Sequence, residues 1–387
     1  MNTTATRPFS TEQYRAPQPQ KRLLAIDGGG MRGMFALKVL GRIEQLLREK
    51  HQNDQLVLSE FFDYVAGTST GGIIATGISL GLSIQELEAF YQFQAPLMFR
   101  KTSNIVKRIF YSKYDYEPLT AKIKEIVGAK TELGDSRLKT LLMLVLMNAS
   151  TASPWPVSSN PRAMYNDTAL GEHSNLKLPL WQLVRATTAA PYFFEPEIIN
   201  IGDKRFVFYD GALTSLNNPA FKLLQMATSP AYRLGWPTGK ENILLVSVGT
   251  GLVPREVKHI RLRDKQFGSL LLNSMEALMY SASTETDLLC RSVSHVVAGE
   301  PVDSEVGDFI ATPAIGNTPL CTYARFNAVL NPRGLARYGC EDLLKRTQFA
   351  LDDTASIEAC AMLGTAVAQA QVQPALFNGF GLRPPAS

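Results

Sequence analysis

The sequence predicts a layered α/β fold with a largely parallel central sheet flanked by helices. Two observations lead to this prediction. Short apolar runs of strand length alternate with longer segments of helical periodicity, and glycine-rich turns follow several of the strands. Such alternation is typical of a parallel sheet, because each helix returns the chain to the edge where the next strand begins. At 387 residues, the chain can bury a large core.

Predicted strands and helices follow one another along the chain. Apolar runs predict buried strands at residues 22–26, 61–66, 141–147, 206–209 and 243–248. Helical patterns occupy residues 34–50, 72–76, 83–93, 119–127, 180–190, 266–284 and 339–371, with Ser83 as the predicted N-cap of its helix. Residues 150–175 are rich in Ser, Pro and Asn and are predicted to form a loop.

Composition divides the chain into three parts. Residues 1–20 are polar and rich in Pro and Gln, which predicts a disordered leader. Residues 21–255 form the predicted catalytic core, and residues 256–387 a mostly helical C-terminal part packed on it. The net charge of +4 is too small to indicate DNA or RNA binding but is compatible with an anionic phospholipid surface.

The sequence also predicts a location. The four cysteines have no paired spacing, and no signal peptide pattern is visible, so free thiols in a reducing cytoplasm are expected. The longest wholly apolar run, residues 141–147, is too short to span a bilayer. Any membrane contact should therefore be peripheral, at the inner face of the membrane.

The most informative motif is the G-x-S-x-G sequence at residues 67–71. A predicted strand precedes it and a predicted helix follows, and such a strand–turn–helix elbow holds its central residue in a strained conformation with the side chain exposed. Flanking glycines are needed because a Cβ there would collide with the strand or the helix. Ser69 is thus a candidate nucleophile.

A second glycine-rich segment, D-G-G-G-M-R-G at residues 27–33, follows the first predicted strand. Its unshielded amides at Gly28, Gly29 and Gly30 could stabilise an oxyanion beside Ser69. Residues 28–33 also match the G-x-G-x-x-G fingerprint of dinucleotide-binding proteins, which leaves a dinucleotide-binding module as an alternative. That fingerprint requires an acidic residue at the end of the second strand, where this chain has Gly-Thr-Ser.

The serine requires a base, and the residues leave two alternatives. A Ser-Asp-His triad of the α/β-hydrolase order would use His259 or His295, but neither lies in a glycine-flanked loop just after a strand. Asp210 does lie in such a place, between the strand at 206–209 and Gly211. A partly desolvated carboxylate can accept the serine proton directly, so a two-residue Ser69/Asp210 catalyst is the simpler hypothesis.

These motifs together resemble the patatin-like phospholipases, lipolytic acyl hydrolases with a Ser/Asp dyad. The matching segments, in family order, are residues 27–33, 67–72, 185–194, 210–219 and 246–251. The resemblance implies a three-layer fold, Ser69 as nucleophile, Asp210 as base and the amides of Gly28–Gly30 as oxyanion hole. Arg32 would orient the loop or meet a lipid phosphate. No cofactor and no metal are expected, because neither Ca²⁺-loop nor metal-ligand spacing is present.

The resemblance also implies partners. The expected substrate is a phospholipid or lysophospholipid. Residues 99–114 combine basic and aromatic side chains without an acidic residue, which is typical of a peripheral membrane contact. The same pattern is compatible with an amphipathic cap whose apolar side packs on the core. Some bacterial members are anti-phage effectors switched on by a cyclic nucleotide, and a large C-terminal part would suit such control. The sequence is equally compatible with a monomer and with a homo-oligomer.

Overall fold

The computed structural model describes residues 20–98, 112–254 and 267–382. The strands are β1 (Lys21–Ile26), β2 (Tyr64–Thr68), β3 (Leu141–Asn148), β4 (Ser153–Ser158), β5 (Glu197–Ile201), β6 (Lys204–Asp210), β7 (Ile243–Val248), β8 (His295–Ala298) and β9 (Thr322–Phe326). The α-helices are α1 (Gly33–His51), α2 (Thr70–Ser79), α3 (Ile84–Met98), α4 (Tyr116–Val127), α5 (Leu180–Thr187), α6 (Ala220–Thr228), α7 (Phe267–Ser292), α8 (Pro332–Ala336) and α9 (Ser356–Gln371).

All nine of these strands belong to one sheet, which confirms the predicted mainly parallel α/β fold. The order is β5-β6-β3-β2-β1-β7-β9-β8, and β4 pairs with β3 outside that path. The six strands from β3 to β8 are parallel, whereas β4, β5 and β6 pair antiparallel. Side chains of β1 alternate between two buried apolar clusters, Leu24 in one and Leu23 in the other, so both faces of the sheet are covered.

Strand β3 brings the ends of two other strands together. Its first half pairs parallel with β2, up to the pair of Thr68 with Val145. Its second half pairs antiparallel with β6, beginning at the pair of Asp210 with Leu146. Because β2 and β6 run in opposite directions and both end here, their carboxyl ends meet at adjacent positions along β3. This register places Ser69 next to Asp210.

The C-terminal part contributes to the same sheet. Strand β9 pairs with β7, and β8 pairs with β9, although the sequence patterns indicated no strand after residue 248. Helix α9 packs against α1 so closely that a Cβ at Gly364 would lie 2.8 Å from the Phe35 carbonyl oxygen.

Two local predictions are corrected. The loop expected at residues 150–175 contains β4, which forms a hairpin with β3 although Pro154 and Pro156 lie within it. A strand at the outside of a pairing tolerates prolines that a central strand would not. Of the helix predicted over residues 339–371, only Ser356–Gln371 is α-helical, while Glu341–Lys345 is a short 3₁₀ turn. Ser83 does precede α3. Its amide donates to the Glu86 carboxylate at 2.8 Å, and the Glu86 amide donates to the Ser83 hydroxyl oxygen at 3.3 Å, which is the reciprocal pattern of a capping box.

Candidate active site

Ser69 lies at the turn between β2 and α2, with φ 55° and ψ −123°, a conformation that is uncommon for a residue with a side chain. The turn closes tightly: a Cβ at Gly67 would lie 2.1 Å from the Gly71 carbonyl oxygen. The Ser69 amide donates to Thr187 Oγ1 at 2.9 Å, and that hydroxyl donates to the Val145 carbonyl at 2.5 Å. The strained residue is thus fixed by α5 and β3 as well as by its own turn.

Asp210 is the hydrogen-bond partner of Ser69. The Ser69 hydroxyl donates to Asp210 Oδ2 at 2.6 Å, and the other carboxylate oxygen accepts the Ala212 amide at 2.8 Å. The Asp210 amide donates to the Ala189 carbonyl at 3.0 Å. The last residue of α5, Thr187, therefore contacts Ser69, and the segment that follows the helix contacts Asp210 through the Ala189 carbonyl.

The environment of Asp210 changes its acidity. Burial raises the pKa of Asp210 to about 7, and this effect outweighs the hydrogen bonds from Ser69 and Ala212 and the positive charge of Arg185, which lower it. Arg185 is itself fully buried, and its guanidinium stacks against the rings of Tyr116 and Phe194. A carboxylate with this pKa can hold or release a proton near neutral pH, as a general base must.

The predicted histidine alternative finds no support among the described residues. His51 ends α1, His173 faces Asp203 at 4.0 Å, and His295 is exposed at the start of β8. None of these three imidazoles contacts Ser69, whose hydroxyl is bonded to Asp210. His259 lies outside the described residues.

The three glycines after β1 differ in what their amides do. The Gly28 amide donates to the Asn217 carbonyl at 3.2 Å, so it is not available to an oxyanion, which corrects the prediction for that residue. The amides of Gly29 and Gly30 have no acceptor among the described residues, and both glycines line a cleft with Ser69 and Asp210. Gly30 has φ 56°, and a Cβ there would lie 2.2 Å from the Leu351 carbonyl oxygen, so only glycine fits.

The cleft beside Ser69 is open to solvent and is lined mostly by apolar side chains. Its walls come from both parts of the chain: Met31, Ile73, Leu119, Phe193 and Phe194 from the core, and Met275, Met279 and Leu351 from the C-terminal part. The sequence analysis did not assign the C-terminal residues to the site. The periodicity of α7 was visible, but nothing in it indicated which wall the helix would form.

An ion pair behind the glycine loop was also missed. Asp27 and Arg325 form a two-pronged salt bridge, with distances of 2.8 and 2.6 Å, and both side chains are buried. Arg325 lies in β9, almost 300 residues along the chain from Asp27. Arg32 is buried too and lines a neighbouring cavity with Glu276 rather than the cleft of Ser69.

Comparison with known proteins decides the family. The model for the family described as patatin-like phospholipase matches residues 24–224, more than half of the chain. This chain belongs to the patatin-like phospholipase family. The match includes Ser69, Asp210 and the glycine loop but ends before Arg325 and the C-terminal wall of the cleft.

Named relatives agree with that assignment. The chain is similar to a cGAMP-activated phospholipase of Escherichia coli (strain TW11681), with 34% identity over 53% of this chain and 55% of the relative. A protein of the same name from Vibrio cholerae is 31% identical over 54% of this chain and 58% of the relative. Patatin-T5 of Solanum tuberosum is 27% identical over 59% of this chain and 60% of the relative. The matches thus span little more than half the length of each relative.

In a patatin-like phospholipase, the dinucleotide alternative for the glycine loop loses its basis. A dinucleotide site would need an acidic residue at the end of β2. Asp63 precedes that strand instead and binds the Arg22 amide and guanidinium at 2.8 and 2.9 Å, at the opposite edge of the sheet. The glycine loop and the turn after β2 both line the cleft of Ser69.

Proposed function

We propose that this protein is a lipolytic acyl hydrolase that cleaves fatty-acyl esters of phospholipids or lysophospholipids. The observation that carries the proposal is the 2.6 Å hydrogen bond from Ser69 to the buried carboxylate of Asp210, beside an apolar cleft. A serine with a base is equipped for acyl transfer, and a mostly apolar cleft suits a hydrocarbon chain.

The reaction follows from the positions of these groups. Ser69 Oγ attacks the ester carbonyl carbon while its proton passes to Asp210 Oδ2. The carbonyl oxygen becomes an oxyanion that accepts hydrogen bonds from the Gly29 and Gly30 amides, and the amino end of α2 adds a favourable dipole. Collapse breaks the ester bond, and the leaving alcohol takes the proton from Asp210. A water molecule, deprotonated by Asp210, then attacks the acyl-enzyme and releases a fatty acid and the free Ser69 hydroxyl.

In this proposal Arg32 orients the loop rather than meeting lipid phosphate. It is 3% exposed and follows Met31, whose amide donates to the Leu351 carbonyl at 2.9 Å. A side chain so deeply buried just before α1 is well placed to hold the loop and poorly placed to reach a headgroup.

The proposal extends to location and control. No helix within the described parts of the chain is long and apolar enough to cross a bilayer. As a separate part of the proposal, we place the enzyme in the cytoplasm, with peripheral contact at the inner membrane face through residues 99–114, of which residues 99–111 lie outside the described ranges. The names of the two bacterial relatives, which contain the words cGAMP-activated phospholipase, support activation by a cyclic nucleotide. We further propose that this activation serves an anti-phage response that degrades membrane lipid.

The test measures lipid hydrolysis and names the nucleophile. The full chain is incubated with phospholipid vesicles and with lysophospholipid, with and without cGAMP, and released fatty acid is quantified by mass spectrometry. In parallel, a fluorophosphonate is added and the modified peptide is mapped. We expect fatty acid release and a label on Ser69, and neither in the folded variants Ser69→Ala and Asp210→Ala.

A matched control is Ser294→Ala, which removes another buried serine hydroxyl, bonded to Cys321 rather than to a carboxylate. It should retain activity and labelling. Full release by a folded Asp210→Ala protein would assign the base to another residue, and a label mapped elsewhere would refute the assignment of Ser69.

A further inference from the structure

The threonine that follows β7, Thr250, makes one side-chain hydrogen bond to the glycine loop. Its hydroxyl donates to the Gly28 carbonyl oxygen at 2.7 Å. The residue is 3% exposed and approaches the loop so closely that a Cβ at Gly29 would lie 2.1 Å from its oxygen. Thr250 lies outside residues 24–224, which the family model matches.

This bond determines the direction of an amide. The Gly28 carbonyl and the Gly29 amide belong to the same planar trans peptide, in which C=O and N–H point in opposite directions. The Thr250 hydroxyl binds the Gly28 carbonyl, so this carbonyl points towards Thr250. The Gly29 N–H therefore points away from Thr250. Gly29 also lines the cleft beside Ser69, so this is one of the two amides available to an oxyanion.

Without such a bond the loop could adopt another arrangement. Glycine populates left- and right-handed backbone conformations with similar ease, so a peptide between two glycines can rotate at little steric cost. The residue on the amino side of the Gly28–Gly29 peptide is fixed by the Gly28 amide, which donates to the Asn217 carbonyl at 3.2 Å. On its carbonyl side, Thr250 is the side chain that binds it.

We propose that Thr250 is a positioning residue for the oxyanion hole: its hydroxyl fixes the Gly28–Gly29 peptide so that the Gly29 amide faces the developing oxyanion. This inference rests on the proposed hydrolase function. Thr250 contacts neither Ser69 nor Asp210 by hydrogen bonds, and it acts through the backbone of the loop.

The experiment compares variants that differ by the hydroxyl. Thr250→Val keeps the shape and removes the donor, whereas Thr250→Ser keeps the donor. Loss of a whole oxyanion donor costs about 10²–10³ in kcat, so a misdirected one should cost roughly 10- to 100-fold in Thr250→Val, with KM changed by less than about threefold. Thr250→Ser should retain most of the activity. The rate of fluorophosphonate labelling should fall in parallel with kcat, since the phosphoryl oxygen occupies the same hole.

Thr322 provides the matched control. Its hydroxyl donates to the Lys240 carbonyl at 2.7 Å and it is also buried, but it begins β9 at the opposite edge of the sheet. Thr322→Val should therefore leave kcat and the labelling rate unchanged, whatever it does to the melting temperature. Should Thr250→Val not fold, the pair Thr250→Ser and Thr250→Ala gives the same comparison, because these residues also differ by a hydroxyl.

The outcomes separate the two proposals. A folded Thr250→Val protein with the kcat and labelling rate of the wild type, or Thr250→Ala as active as Thr250→Ser, refutes the positioning role while the hydrolase stands. A wild-type protein that neither releases fatty acid nor is labelled at Ser69 refutes the hydrolase itself, and the positioning role with it.

Discussion

Replacing Asp210 with asparagine should abolish hydrolysis and, above neutral pH, make the protein more stable. Burial raises the pKa of Asp210 to about 7, from 3.8 for an ordinary aspartate. One pKa unit corresponds to about 1.36 kcal/mol, so a difference of about three units corresponds to about 4 kcal/mol. When the carboxyl is ionised, the free energy of unfolding is lower by about this amount, because ionisation is easier in the unfolded chain.

The direction of the pH effect on stability follows because the pKa of Asp210 is higher in the folded protein than in the unfolded chain. Well below about pH 4 the carboxyl is protonated in both states, and its ionisation has no effect on stability. As the pH rises from about 4 to about 7, the unfolded chain loses the proton first, so the wild-type protein is progressively destabilised. Asparagine does not titrate. The free energy of unfolding of Asp210→Asn, relative to wild type, should rise through this window by about 4 kcal/mol and level off above it.

Urea unfolding of both proteins at several pH values between about 4 and 8 measures this difference, and other titrating groups cancel in the subtraction. The same ionisation should appear in catalysis. Only ionised Asp210 accepts the Ser69 proton, so kcat/KM of the wild type should fall about tenfold per pH unit below about pH 7. Two results would refute a raised pKa for Asp210. One is a difference in the free energy of unfolding that does not depend on pH, and the other is a kcat/KM that falls only near pH 4.

Two further predictions concern the loop anchor and the membrane. Arg325→Met should destabilise the protein by about 3–5 kcal/mol in urea unfolding, because it leaves the buried Asp27 carboxylate without its arginine partner. The control Lys345→Met breaks an exposed ion pair with Asp342 and should have no measurable effect on the free energy of unfolding. Equal effects of the two substitutions would contradict the prediction. Substituting Lys107 and Arg108 by glutamate should reduce flotation with anionic vesicles but not hydrolysis of a soluble ester, and unchanged flotation would exclude this segment as the membrane contact.

The parts of the site that the sequence predicted are those held by local geometry. An elbow around Ser69 requires glycines within two residues, and the loop after β1 requires them consecutively, so both are visible as short motifs. Asp210 was recognisable because it ends a strand and precedes a glycine that packs against β3. The register that joins these motifs is not local. It depends on β3 pairing with β2 along one half and with β6 along the other.

The parts that could not be predicted depend on contacts between distant residues. Nothing near Arg325 indicates that its guanidinium will meet Asp27, and β9 is a short strand of mixed composition that alternation does not distinguish from a loop. Gly28 was predicted to donate to the oxyanion because all three loop glycines look alike in sequence. Its amide donates to the carbonyl of Asn217, a residue that the sequence analysis included only as part of the matching segment 210–219.

These distant contacts argue that the chain after residue 255 completes the catalytic core rather than adding to it. Strand β9 covers the edge of β7, and an uncovered β7 would leave a row of backbone donors and acceptors unpaired. Arg325 neutralises Asp27 at the start of the glycine loop, and the Leu351 carbonyl binds the Met31 amide at its end. Because both ends of the loop are fixed by C-terminal residues, any movement of that part would shift the amides of Gly29 and Gly30. Under the proposed mechanism, a ligand that moves the C-terminal part would therefore change the rate without touching Ser69.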